Sequence, residues 1–141
     1  MARREVRLER TSTGNYLATN ADGVQVAVGA DDAVMSPVEL LLVALGACSA
    51  IDVDTVMSRR AEPEAFQVSV SGEKVVDETG GARLSGIDVD FLLDYGDGEA
   101  ARQAEKLVPR LVRASHDKDC TVSRTIELGT TVRMTVAADD V

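Results

Sequence analysis

A long apolar segment in the first half of the chain constrains the fold more than any other feature. From Val38 to Ile51 the only charged residue is Glu39, so a helix drawn through this segment is apolar nearly all round. Such a helix is expected to be central and covered on several sides. The uncharged run from Leu40 to Ile51 is shorter than the roughly 20 residues that cross a bilayer. The sequence therefore predicts a central buried helix rather than a membrane anchor.

Both ends of this helix are marked in the sequence. Ser36 is a candidate N-cap, Pro37 stands at the first helical position, and Glu39 is placed to complete a capping box. Arg59 and Arg60 suit a C-terminal end, because cations stabilise the negative end of the helix dipole. The pattern predicts a helix that begins at 37 and runs to about 59 or 60.

The segments before and after this helix alternate in hydrophobicity as β-strands do. Residues 4–28 predict a small antiparallel meander, with a turn signal at 20–23. Residues 66–71 and 83–91 alternate in the same way and are joined through Gly80 and Gly81, which predicts a long hairpin.

The last third of the chain predicts one more helix and one more strand. A helix is expected over 98–114, and Pro109 should kink or interrupt it. A strand is expected over 130–136. The resulting order, β-β-β-α-β-β-α-β, belongs to the α+β class, and residues 1–141 are expected to form a single domain.

Charge and composition argue against two classes of partner. The chain has a net charge of −9, which repels phosphate backbones and anionic lipid surfaces. Aromatic residues make up only 3% and tryptophan is absent, so stacking on nucleic-acid bases is not available. Neither nucleic acid nor a membrane is an expected partner.

The N-terminal residues indicate in which cellular compartment the protein is found. Four of the first seven residues are charged and no apolar stretch follows them, which does not resemble a signal peptide. We therefore expect a cytoplasmic protein. In that reducing compartment a pair of cysteines in contact would be transient or catalytic rather than a permanent disulfide.

The two cysteines occupy different settings. Cys48 lies within the apolar helix among small residues, whereas Cys120, 72 positions later, follows a charged segment. This contrast predicts an attacking and a resolving thiol in a redox protein. The alternative is that each is a small buried hydrophobe, as free cysteines commonly are.

Two motifs carry a family resemblance. Residues 36–52 resemble the central-helix signature of the OsmC/Ohr family, and residues 116–125 resemble its second cysteine motif, in the family's order. The resemblance implies an OsmC-like fold, an intertwined homodimer with two active sites at the subunit interface, and a thiol-dependent peroxidase for organic hydroperoxides. It also implies that Cys48 is the peroxidatic cysteine, that Cys120 is the resolving one, and that Glu39 helps to orient an active-site arginine.

The implied reaction needs no metal or cofactor. The Cys48 thiolate attacks a peroxide oxygen and becomes a sulfenic acid, Cys120 condenses with it to form a disulfide, and an external dithiol reductant resets the pair. The apolar residues from Leu40 to Leu45 suit an alkyl or lipid-like hydroperoxide better than hydrogen peroxide.

The chain departs from the family in one respect. The family places an activating arginine ahead of the central helix, but no Lys or Arg occurs between Thr11 and Ser58. A thiol with a pKa near 8.5 is mostly protonated at neutral pH, and burial raises that pKa further. Arg124, in the second cysteine motif, and Arg10 are the candidate substitutes. The missing arginine favours the alternative of a non-peroxidase OsmC-like dimer that binds a small apolar or thiol-containing ligand at the subunit interface.

Three further side chains lie in or near these motifs and could take part in the site. Glu39 precedes Cys48 by nine residues, which places it on the opposite face of the helix and about 13 Å away along the axis, so its role within its own helix is capping. His116 is the only histidine, and with so few candidate ligands it predicts a hydrogen-bonding role rather than a zinc site. Asp52, just after Cys48, carries a negative charge that does not assist a thiolate.

Overall fold

The computed structural model describes residues 2–136. They form two compact units, one made of the chain up to Gly46 with Ser69–Asp90, the other of Ala47–Val68 with the chain from Phe91 onward. The mixture of strands and helices confirms the α+β class. That residues 1–141 form one domain stays a prediction.

The first unit opens with a three-stranded sheet. Strands β1 (Val6–Ser12), β2 (Asn15–Asn20) and β3 (Gln25–Gly29) pair antiparallel in that order, which confirms the predicted meander. The Asn20 side-chain oxygen accepts hydrogen bonds from the backbone N–H groups of Asp22 (3.0 Å) and Val24 (2.9 Å). This side chain therefore closes the turn that the sequence signalled.

Helix α1 (Pro37–Met57) begins where the sequence predicted. The Ser36 N–H donates to Glu39 Oε1 at 3.0 Å and the Glu39 N–H donates to Ser36 Oγ at 3.1 Å, which is a complete capping box. The helix ends at Met57, before the predicted arginines, because the following residues form a tighter turn. In that turn the Arg60 N–H donates to the Met57 carbonyl, three positions back, at 2.8 Å.

Burial along α1 differs from the prediction of a helix covered on several sides. One stripe with a spacing of four is buried, namely Leu45, Ser49, Val53 and Met57. Other large apolar side chains of α1 are exposed in the single chain, namely Val38, Leu41, Val43 and Ile51, and they include members of the same face nearer the N-terminus. The prediction of a helix covered on several sides is therefore wrong for one chain alone, since the buried side chains of α1 lie along this one stripe.

The same helix is long and apolar enough to cross a bilayer, judged only by its length and composition. Core helices of proteins that never enter a membrane meet this criterion as well. That no membrane is a partner stays a prediction.

The second sheet is a hairpin of β4 (Ala65–Val76) and β5 (Ala82–Asp94), as predicted but longer. The Asp77 carboxylate accepts hydrogen bonds from the N–H groups of Thr79 (2.9 Å) and Gly81 (3.3 Å), and it thereby holds the turn. The pKa of Asp77 is lowered, first by a hydrogen bond from the Thr79 hydroxyl and then by the one from the Thr79 N–H.

The predicted second helix is two helices, α2 (Glu99–Glu105) and α3 (Val108–Ala114). Pro109 lies in the first turn of α3, where its missing N–H costs no intrahelical hydrogen bond. The prediction that Pro109 interrupts this helix is confirmed.

Two elements follow that the sequence did not predict, a π turn (Ser115–Asp119) and helix α4 (Thr121–Glu127). The predicted strand over 130–136 is wrong, because these residues pair with no strand in the described part of the chain. Alternation alone does not make a strand without a partner edge. The exposed apolar side chains there are Val132, Met134 and Val136.

The core of the second unit lies between α1 and α2. Its buried members are Val53, Met57, Tyr95, Ala101 and Ala104. The two alanines let α2 approach closely, and complete burial of a side chain such as Met57 stabilises the fold by about 1.5–3 kcal/mol. This core fixes the part of α1 that carries Cys48.

Candidate functional site

The two cysteines meet within the second unit. Both are free, and each thiol acts on the other's pKa through hydrogen bonding. Cys48 lies within α1, whereas Cys120 lies between the π turn and α4. The structure thus brings together residues 72 positions apart, and their roles as attacking and resolving thiols stay predictions.

The π turn sets the position of Cys120. The Cys120 N–H donates to the Ser115 carbonyl at 2.7 Å, five residues back, which is the spacing of a π-helix. Cys120 then adopts an extended conformation and becomes the N-cap of α4. Its sulfur accepts a hydrogen bond from the Ser123 N–H at 3.4 Å. The sulfur thus takes the capping role that a serine or aspartate side-chain oxygen usually has.

Cys120 is fully buried and surrounded by donors. The Ser49 hydroxyl, on α1, donates to the Cys120 sulfur at 3.5 Å. Burial is the largest influence on the pKa of Cys120 and raises it, but hydrogen bonds from Ser123, Ser49 and Cys48 outweigh burial. The pKa of Cys120 therefore lies below that of an ordinary thiol.

Cys48 is partly exposed, and its pKa is shifted in the opposite direction. Burial is the main cause of the raised pKa, as the sequence predicted, and Cys120 and Asp52 raise it further. The Val122 backbone N–H, at the start of α4, lowers the pKa of Cys48 but does not compensate. Of the two thiols, Cys120 therefore has the lower pKa, because hydrogen-bond donors surround it.

Asp52 lies one helical turn after Cys48. Its carboxylate accepts a hydrogen bond of 2.7 Å from the hydroxyl of Ser115, a residue that is almost completely buried. The negative charge of Asp52 raises the pKa of Cys48, so it opposes the thiolate as the sequence suggested. Asp52 and Ser115 also join α1 to the π turn.

Arg124 and His116 hold the segment around Cys120. The Arg124 guanidinium donates to the Asp117 carbonyl at 2.7 Å. His116 lies between Asp117 Oδ1 and Glu127 Oε1, at 2.9 Å from each, which confirms its predicted hydrogen-bonding role. Among the described residues, Arg124 is not one of the groups that shift the Cys48 pKa. Its proposed activation of Cys48 stays a prediction.

The other predicted residues lie in the first unit. Glu39 caps α1 and borders a cavity of about 500 Å³ that residues 29–36 line. Its role in orienting an arginine stays a prediction. Arg10 donates to Thr13 Oγ1 at 3.0 Å on an exposed strand. Within residues 2–136, no cluster of three or more His, Cys, Asp and Glu side chains could hold a metal ion.

Sequence reasoning missed the serines of this site. No role was predicted for Ser49, one of the small residues beside Cys48, or for Ser115 and Ser123. One signal was available: Ser123 follows Cys120 by three residues, the spacing at which an N-cap side chain accepts a backbone hydrogen bond. The partner of Ser49 is 71 residues away and left no local signal.

Comparison with known proteins gives consistent likenesses. The model of a family described as OsmC-like protein matches residues 29–135. An uncharacterized protein of Mycobacterium tuberculosis is 36% identical over 132 residues, which cover 92% of this chain and 93% of that protein. A hypothetical protein from Aquifex aeolicus has a similar structure, with a TM-score of 0.70, 24% identity, and coverage of 94% of this chain and 93% of that one. The organic hydroperoxide resistance protein OhrB of Bacillus subtilis shares the fold at a TM-score of 0.52 and 19% identity, over 88% of this chain and 90% of that one.

Proposed function

Since this chain belongs to the OsmC-like family, we propose that it is a thiol-dependent peroxidase that reduces organic hydroperoxides through Cys48 and Cys120. The observation that carries this proposal is the proximity of the two cysteines: the Cys120 sulfur accepts from Ser49, the neighbour of Cys48, and each thiol shifts the pKa of the other. Of the pair, Cys48 is partly exposed whereas Cys120 is fully buried, so a peroxide meets Cys48 first. Cys48 is therefore the attacking sulfur and Cys120 the resolving one.

The proposed reaction runs in two steps. The Cys48 thiolate attacks one peroxide oxygen, the O–O bond breaks, and the alkoxide takes a proton and leaves as an alcohol. The Cys120 thiolate then attacks the Cys48 sulfenic acid and displaces hydroxide, which gives the disulfide. An external dithiol returns two electrons and restores both thiols, so no bound cofactor takes part.

The substrate class and the compartment belong to the same proposal. The apolar sequence that precedes Cys48 in α1 supports an organic hydroperoxide over hydrogen peroxide, as does the fold shared with a hydroperoxide resistance protein. A thiol pair that cycles with a dithiol reductant suits the reducing cytoplasm.

The working form is proposed to be a homodimer. Exposed apolar side chains on α1, namely Val38, Leu41, Val43 and Ile51, support this state because a second copy would cover them. The apolar residues of 130–136, which pair with no strand in the described chain, support it too.

The homodimer is tested by its mass in solution. Sedimentation equilibrium should give twice the chain mass. Val43→Asp should dissociate the dimer, whereas Val24→Asp, at an exposed turn, should not; a monomeric wild type contradicts the proposal.

The peroxidase is tested by intact mass after one equivalent of cumene hydroperoxide. Wild type should lose two hydrogens quickly, and Cys48→Ser should not react. Cys120→Ser should accumulate a sulfenic acid that dimedone traps. Hydrogen peroxide should react more slowly than the organic peroxide, and an equal rate contradicts the substrate class.

A binding function is the second candidate, because one observation favours it. The raised pKa of Cys48, with Asp52 among its causes, works against a nucleophilic thiolate. A wild-type reaction no faster than that of a free thiol would support a dimer that binds a small apolar or thiol-containing ligand, and native mass spectrometry of protein purified from its own cells would detect it.

A further inference from the structure

The hydroxyl of Ser49 reaches the second cysteine of the pair, although Ser49 is the sequence neighbour of the first. Building on the peroxidase function above, we propose that Ser49 is a positioning residue: it holds the Cys120 sulfur as a hydrogen-bond acceptor, so that Cys120 takes the proton of Cys48 during attack on the peroxide. Cys120 then acts twice in one turnover, first as base and afterwards as resolving nucleophile.

The contacts around Cys120 support this role. Its sulfur accepts from Ser49 Oγ at 3.5 Å and from the Ser123 N–H at 3.4 Å, and it is completely buried. The two donors lie on different helices, α1 and α4, so the sulfur is held from both sides. Hydrogen bonds to a charged acceptor favour the charged form, and more strongly where water is excluded. Both donors therefore stabilise a thiolate at Cys120.

The surroundings of Cys48 show why a base is needed. The chain has no Lys or Arg from Thr11 to Ser58, so no cation precedes Cys48 in α1. Within residues 2–136, the titratable groups that act on the Cys48 thiol are Cys120 and Asp52. Asp52 already accepts the Ser115 hydroxyl at 2.7 Å. Cys120, whose sulfur accepts from both Ser49 and Ser123, is the group that we assign as the base.

The proton and the electrons balance in this sequence. The Cys48 thiol gives its proton to the Cys120 thiolate while the Cys48 sulfur bonds to one peroxide oxygen and the O–O bond breaks. The departing alkoxide takes the proton back from Cys120 and leaves as the alcohol. Cys120, again a thiolate, attacks the Cys48 sulfenic acid and releases hydroxide. The hydroperoxide is the oxidant, and the two thiols supply its two electrons.

The first test follows thiolate ionisation without any peroxide, so it does not depend on the proposed function. The ultraviolet absorbance of the thiolate is recorded against pH for reduced wild type, Ser49→Ala and Ser49→Thr, with Ser58→Ala as the matched control at an exposed serine after α1. Ser49→Ala should move the first thiol titration up by about one pH unit, which is tenfold in the ionisation constant. Ser49→Thr keeps the hydroxyl and should restore the wild-type curve, and Ser58→Ala should match wild type.

The second test measures the reaction itself. Stopped-flow oxidation by cumene hydroperoxide should be about tenfold slower in Ser49→Ala, with the pH profile displaced in the same direction as the titration. Ser49→Gly, a second variant without the hydroxyl, should behave like Ser49→Ala. Unchanged titration curves in both variants would overturn the proposal, as would a slowed reaction that Ser49→Thr fails to rescue. If wild type does not react with peroxide, the peroxidase function fails, and the titration still decides whether Ser49 holds the thiolate.

Discussion

The Ser115 hydroxyl donates a 2.7 Å hydrogen bond to the Asp52 carboxylate, and this contact places a fixed negative charge one helical turn from Cys48. Ser115 is almost completely buried, so it cannot turn toward water without breaking local packing. The carboxylate is thereby held where it disfavours the Cys48 thiolate. The Cys48 thiol consequently ionises less readily than a thiol beside a cation would.

Replacement of Asp52 by Asn should lower the Cys48 pKa. The change removes a negative charge while the amide keeps an oxygen that can accept from Ser115. Asp52 is one of the smaller causes of the raised pKa, so we expect a fall of less than one unit and a rise of less than tenfold in Cys48 alkylation at neutral pH. Iodoacetamide labelling, followed by mass spectrometry of the Cys48 peptide across pH, measures it.

Asp54→Asn is the matched control for this change. Asp54 lies on the same helix and is exposed, and it does not act on the Cys48 pKa. Its labelling profile should match wild type. Equal acceleration in both variants would mean that net charge, rather than the position of Asp52, sets the reactivity.

Met57 should be a major contributor to stability. It is completely buried in the core of the second unit, and truncation to alanine leaves a cavity there. We expect Met57→Ala to cost about 2–5 kcal/mol in the free energy of unfolding. Met35→Ala is the same change at an exposed methionine and should cost far less. Urea unfolding monitored by circular dichroism compares them, and similar losses for both would contradict the core assignment.

Tyr95→Phe should make the protein more stable. The Tyr95 hydroxyl is buried and has no hydrogen-bond partner among the described residues, and burial also raises the pKa of Tyr95. Removing an unpartnered buried hydroxyl should stabilise the fold by about 1 kcal/mol. Tyr16→Phe, at an exposed tyrosine, should have little effect. A destabilised Tyr95→Phe would show that the hydroxyl has a partner in solution.

His116 should make a small pH-dependent contribution to stability. Hydrogen bonds to Glu127, and then to Asp117, raise its pKa above the usual 6.5. A group whose pKa is raised by folding stabilises the fold fully below its unfolded pKa and loses that effect as pH rises through the folded pKa. Wild type should therefore exceed His116→Asn in Tm by about 2 °C or less near pH 6, and the two should converge by about pH 9. A difference that grows toward alkaline pH contradicts this assignment.

Local signals in the sequence were sufficient for the start of the first helix and for the turns. The capping box of Ser36 and Glu39 lies within four residues, so the pattern itself names its partners. Pro109 likewise acts on its own helix, and its effect was predicted. Both cysteines were predicted to be functional because their sequence settings differ and because each lies in a family motif, and their roles stay predictions.

Features that depend on distant contacts could not be predicted in this way. The π turn at Ser115–Asp119 follows helical residues without a break in periodicity, and no local signal indicates the extra residue. The lowered pKa of Cys120 depends on Ser49, which belongs to another helix. The predicted strand over 130–136 failed because its alternation carries no information about which edge would receive it.

The π turn also bears on how the proposed thiol chemistry could be lost in evolution. It holds one residue more than an α-helical turn, and Cys120 follows directly after it. Deletion of a single codon within the turn would let α3 continue as a regular helix and would rotate the following side chains by about 100° around its axis. The Cys120 sulfur would then leave Ser49 and Cys48, while the core built on Met57 and Val53 would keep its residues. A lineage could in this way give up the thiol pair in one step and retain the fold for another use.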